Sequence, residues 1–150
     1  MLLSIVGTGR SLPNPIASGL LPAFHARLSH DLTNIGVGHP IAFDLEIVDT
    51  THSYEPADGI YTVPVTGIYV FNWNLMTRET SGMDTTLTSS EGPLGFGFVS
   101  NADVWDNGGN LVMAKLTQGT HVWLKKADTY GSFLHERFST FSGYLLTETE

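Results

Sequence analysis

Gly67-Ile68-Tyr69-Val70-Phe71-Asn72-Trp73-Asn74-Leu75-Met76 decides the fold. Tyr69, Phe71, Trp73 and Leu75 recur at every second residue and share one face, which a pleated strand presents to a core. The other face carries Ile68 and Val70, then Asn72 and Asn74, so it turns polar halfway along. A helix would scatter these four large side chains around its circumference. The spacing therefore predicts a β-strand with one buried and one partly covered face.

Working outward, the same pattern repeats in shorter pieces. Toward the N-terminus, Phe24, Ala26 and Leu28 alternate with His25, Arg27 and Ser29. Ile41-Ala42-Phe43 and Leu45 to Val48 read as an extended pair, and Ile60 to Val63 as a strand ended by Pro64, which cannot donate to a ladder. Toward the C-terminus, Leu94, Phe96 and Phe98 alternate with Gly95 and Gly97, a glycine face that implies close approach by a neighbouring backbone or ring. Leu111 to Leu116, His121 to Lys125 and Phe138 to Leu146 complete the set, with Gln118-Gly119 read as a tight hairpin turn. The polar stretch 77–92 reads as a long loop or weak edge strand, and 101–110 as a turn-rich acidic loop. No helix of two turns is evident. The reading is all-β, about ten short strands, the number a two-sheet antiparallel sandwich or jelly roll uses. Residues 1–22, with Pro13, Pro15 and Pro22, read as a flexible arm, and 23–150 as one globular domain.

Composition narrows the function. The 150 residues include eight Phe, five Tyr and three Trp, and only 15% are charged. Formal net charge is −8, with the seven basic residues scattered apart from Lys125-Lys126. Phosphate backbones and anionic bilayers need clustered Lys and Arg, so nucleic acid and membrane surfaces are excluded as expected partners. No apolar run reaches a membrane span, so no membrane insertion is expected. The absence of cysteine rules out disulfides and thiolate metal sites. The apolar start, Met1 to Val6, lacks a basic region before it and is short for a secretory leader.

From Phe43 to Trp73 the chain resembles the signature of the C1q family: Phe43, Asp49, Tyr54, Tyr61, Gly67, Tyr69, Phe71 and Trp73, with the family's spacings kept. Tyr61 stands where Phe is usual, and Trp73 where Phe or Tyr is usual. Gly119 to Leu124 and Ser139 to Leu146 are similar to the family's last two strands. The resemblance implies the jelly roll shared with tumour necrosis factor, assembly as a homotrimer, a secreted, extracellular protein, and recognition rather than catalysis. No Gly-X-Y repeat is present, as in the family's stalkless, head-only members.

Ser, His and Asp occur, but in no arrangement that marks a nucleophile elbow, zinc helix or phosphate loop, so the chain is not expected to be an enzyme. The acidic loop is the candidate site. Asp106 and Asp103 offer oxygen donors for Ca²⁺, and Asp106 falls where some calcium-binding relatives place a carboxylate. Their second ligand would fall at Phe98, which cannot serve. The alternative is a plain Asp-Asn-Gly turn. Trp105, Asp103, Asn107 and Asn110 are the candidate ligand-binding residues, the ring stacking on a pyranose face and the amides reading hydroxyls. The alternative for Trp105 is a loop anchor. These readings together predict a secreted pattern-recognition protein of innate immunity, a lectin-like binder of glycans or microbial surface molecules. A calcium- or mineral-associated structural protein and a cytokine-like receptor ligand are the alternatives.

Overall fold

The computed structural model describes residues 19–78, 82–100, 105–128, 131 and 133–150, so most of the predicted arm lies outside the described residues. Ten strands follow in order: β1 (Ala23–Arg27), β2 (Leu45–Asp49), β3 (Tyr54–Glu55), β4 (Ile60–Thr62), β5 (Gly67–Thr77), β6 (Met83–Ser89), β7 (Gly92–Val99), β8 (Asp106–Leu116), β9 (His121–Lys126) and β10 (Thr140–Glu148). They form two antiparallel sheets, β2-β1-β10-β5-β8 and β3-β4-β9-β6-β7. No helix occurs among the described residues, and hence none long and apolar enough to cross a membrane.

The strand that decides the fold sits where its pattern requires. Tyr69, Phe71, Trp73 and Leu75 are fully buried between the sheets, while Asn72 on the other face is exposed. Phe24 of β1 stacks on Tyr61 at 4.5 Å and Tyr54 at 5.1 Å, and meets Phe141 of β10 edge-on at 5.0 Å. These rings need a gap on β10, and Gly143 provides it. A Cβ there would lie 2.7 Å from Phe71 and 2.8 Å from Phe24.

The polar members of the signature hold one corner. The Asp49 carboxylate accepts the Ser53 and Tyr54 backbone N–H groups at 3.1 and 2.9 Å. The Tyr54 hydroxyl in turn donates to the Phe43 carbonyl at 2.9 Å and accepts its N–H at 3.1 Å. Burial and that hydrogen bonding are linked: the ring is buried, and its polar end is satisfied by backbone. Phe43, Asp49 and Tyr54 thus form a single device that closes the turn between β2 and β3.

Four sequence readings are corrected. The stretch 77–92 holds β6, which is no edge strand, since it lies between β9 and β7. Its inward residues are Met83, Thr85 and Leu87, and Thr85 is tolerated in the core because its hydroxyl accepts Trp73 Nε1–H at 3.0 Å and donates to the Gly97 carbonyl at 3.2 Å. The loop 101–110 is strand from Asp106 onward, since β8 pairs with β5 as far as Thr77. Gln118-Gly119 is no hairpin: β8 and β9 belong to different sheets, and the turn carries the chain from one to the other. Ile41 to Phe43 does not join β2. Ile41 N–H bonds the Leu124 carbonyl instead, which lays this segment along β9.

The glycine face of β7 admits close neighbours, the ring its sequence implied at Gly97 and an aliphatic side chain instead at Gly95. A Cβ on Gly95 would fall 2.3 Å from the Val112 side chain, and one on Gly97 would fall 2.8 Å from the Trp73 indole nitrogen. Asn110 Nδ2 reaches from β8 to the Phe96 carbonyl at 2.8 Å, and the two edge strands, one from each sheet, meet closely.

Candidate ligand-binding site

β5 and β8 end together at Thr77 and Asp106, the opposite end from the Gly67–Leu116 pair. At this end, which we call the apex, the segment before β10 folds back over β5. His135 N–H donates to the Met76 carbonyl at 2.9 Å, Met76 N–H donates to Ser139 Oγ at 3.1 Å, and Asn74 Nδ2 donates to the Phe138 carbonyl at 2.8 Å. These bonds bring Met76, Trp105, His135 and Phe138 around a depression of about 240 Å³. The rings meet at angles: Trp105 to His135 at 5.2 Å, His135 to Phe138 at 5.1 Å and Trp105 to Phe133 at 6.3 Å. Behind them the Arg78 guanidinium sits 4.3 Å over the Phe133 ring. Arg137 N–H donates to His135 Nδ1 at 3.2 Å, so the neutral imidazole carries its proton on Nε2. The depression offers apolar faces for C–H groups and ring N–H donors at its rim.

Trp105 packs against Phe133 and His135 and is 51% exposed. Asp103 lies outside the described residues. Asp106 opens β8, and one carboxylate oxygen accepts the N–H of Asn107 at 3.0 Å. Asn107 is exposed opposite Met76. Asn110 is engaged on both ends of its amide, since its oxygen accepts the Leu111 N–H at 2.8 Å while its nitrogen holds Phe96. Met76, His135 and Phe138 escaped the sequence reading because they come from separate segments, which only the bonds above bring together. Among the described residues no three His, Asp or Glu side chains gather as a metal site. One chain's Asp106 cannot supply the six to eight oxygens Ca²⁺ takes.

Ser29, His30 and Asp44 do come together, but their hydrogen bonds run the wrong way for a nucleophile. The Ser29 hydroxyl donates to Asp44 and lies 3.0 Å from His30 Nδ1, so the carboxylate, not the imidazole, takes its proton. Burial alone would raise the Asp44 pKa. Hydrogen bonds from the Ser29 hydroxyl and N–H outweigh it and hold the carboxyl below its usual range. The trio pins the loop after β1 to the segment before β2.

Two five-stranded antiparallel sheets packed in this order form a jelly roll of the C1q and tumour necrosis factor type. The chain matches the C1q domain over residues 23–146, and it belongs to that family. It is 29% identical over 130 residues to complement C1q tumor necrosis factor-related protein 3 of Mus musculus, covering 85% of this chain and 52% of that protein. It is 26% identical over 136 residues to the heavy metal-binding protein HIP of Mytilus edulis, covering 83% and 60%. The chain thus spans about half the length of such relatives. Among solved structures, the globular domain of zebrafish complement 1qA superposes with a TM-score of 0.73 at 18% identity, over 85% of this chain and 99% of that one.

Proposed function

We propose that this chain is a secreted, extracellular recognition protein that works as a homotrimer and binds glycans of microbial or other surfaces at its apex, without catalysing a reaction. The observation that carries the reading is Trp105, half exposed at the rim of an aromatic depression that also presents His135 and Phe138. Sugar rings have apolar C–H faces that stack on such rings, and the Nε2–H of His135 is a donor for a hydroxyl. One small site of this kind binds weakly. Three on one rigid body gain by effective concentration on a repetitive surface.

The trimer reading rests on the open face of the first sheet. Tyr144, Val70 and Met113 line up across β10, β5 and β8, and Ser142, Asn72 and Leu111 form the next row. Met113 is 63% exposed, and Leu111, Tyr144 and Leu146 are about half exposed. A contiguous apolar face of this kind marks an interface.

Calcium belongs to the same proposal only through assembly, with Asp106 side chains from neighbouring protomers sharing one ion. HIP is named for binding heavy metals, which supports metal association as the second reading. A glycan array probed with the full chain, in calcium and in EDTA, tests both. Retention of defined glycans that Trp105→Ala abolishes is the expected result. No retention of any glycan by the wild-type trimer would overturn the glycan reading, and identical retention in EDTA would overturn the calcium role.

A further inference from the structure

The second sheet carries a depression of its own, on its outward face and away from the apex. Two cross-strand rows build it: Lys125, Thr86 and Phe96 across β9, β6 and β7, and next to them Trp123, Thr88 and Pro93. The segment at Val37 and Gly38 closes one side, held by a hydrogen bond from Gly38 N–H to the Lys126 carbonyl at 2.9 Å. The depression is open to solvent and has a volume of about 320 Å³, and Val37, Thr86, Thr88, Pro93, Phe96 and Lys125 are among its lining residues.

Its floor is unusual. Thr86 and Thr88 point outward, by alternation with the inward Thr85 and Leu87, yet each is only 6% exposed because the flanking long side chains rise around them. Neither hydroxyl has a hydrogen-bond partner among the described residues. Thr85 and Ser89, on the inward side of the same strand, both do. Both residues line the depression, and their hydroxyls are available to a ligand there. At the wall, the Phe96 ring is 65% exposed. Lys125 forms no ion pair among the described residues, although the chain has fifteen carboxylates against seven basic side chains.

We infer that this depression is a second binding site, distinct from the apex, and that its ligand is an acidic sugar. The chemistry required is a carboxylate for the Lys125 ammonium, hydroxyls for Thr86 and Thr88, and an apolar C–H face for Phe96. A uronic acid residue carries all three on one ring. A neutral sugar leaves Lys125 unused, and a simple inorganic anion leaves Phe96 unused. Because the chain's net charge of −8 repels polyanions at large, binding of this ligand depends on the built contacts and not on the general field.

Calorimetric titration of the full chain with a galacturonate tetrasaccharide and with its carboxyl-reduced neutral counterpart tests the assignment. The acidic form is expected to bind about tenfold tighter, as a charge-assisted contact allows. Lys125→Gln should erase that preference. Thr86→Val should weaken both ligands by roughly fivefold while the melting temperature holds, since valine keeps the shape and the hydroxyl has no hydrogen-bond partner among the described residues. Trp105→Ala, which disables the apex, should change neither affinity. Equal affinity for the two sugars, wild-type binding by Lys125→Gln and Thr86→Val, or loss of binding in Trp105→Ala would each overturn the proposal. The last result would move the acidic sugar to the apex.

Discussion

Tyr61 and Tyr69 face the same aromatic core and end differently. The Tyr69 hydroxyl donates to the Val65 carbonyl at 2.6 Å and accepts its N–H, and burial still pushes its pKa up to about 12. The Tyr61 hydroxyl is more deeply buried, and burial drives its pKa up further. The Thr51 hydroxyl stands near enough to favour the ionised form slightly, but it is engaged with Ser53 at 2.8 Å, and no well-formed hydrogen bond from the described residues reaches the Tyr61 hydroxyl. The orphan hydroxyl falls at the position where the C1q signature usually has Phe. Leaving a buried polar group unpaired costs about 1–3 kcal/mol, so removing it should not destabilise. Tyr61→Phe is expected to melt at or above the wild-type temperature. A clear drop would mean that Thr51 satisfies the hydroxyl after all. Only the departure from the family residue was visible in the sequence. Whether the hydroxyl finds a partner depends on Thr51, which reaches the ring through the fold.

Among the elements, β5 and β6 mark the two ends of legibility. In β5 an unbroken alternation of large aromatics identifies strand, face and burial at once. In β6 the inward positions are Met83, Thr85 and Leu87, and the outward ones are polar, so counting apolar residues finds no strand. Thr85 is buried because Trp73 and Gly97 supply its partners from β5 and β7, and that pairing is a product of the assembled sheets. Thr85→Val keeps shape and β-propensity but strands the Trp73 N–H in the core. A loss of about 1–3 kcal/mol is expected in urea unfolding. Unchanged stability would show that the indole nitrogen finds another acceptor and that β6 is not tied to the core in this way. The candidate site divides along the same line. Trp105 was legible as a ring in a polar segment, whereas His135 and Phe138 join it only because β5 and the segment before β10 share hydrogen bonds.

For the whole molecule, the proposed function depends on three copies acting together. The first sheet buries one face on the core and leaves Tyr144, Met113 and Leu111 exposed on the other, with Val70 buried between Tyr144 and Met113. Solvating such a face is unfavourable, and closed cyclic assembly is the usual way to cover it. The C-terminal end of β10, where Glu148 pairs with Gly67, lies at the other end of the strands from the apex, and a trimer built in parallel on this face would present three Trp105 sites in one direction. Sedimentation equilibrium at micromolar concentration, on the wild type and on Met113→Glu, measures this directly. The account predicts about three times the 16.3 kDa chain mass for the wild type, and the chain mass for a variant that remains folded. A wild-type protein that sediments as a folded 16.3 kDa monomer would contradict it.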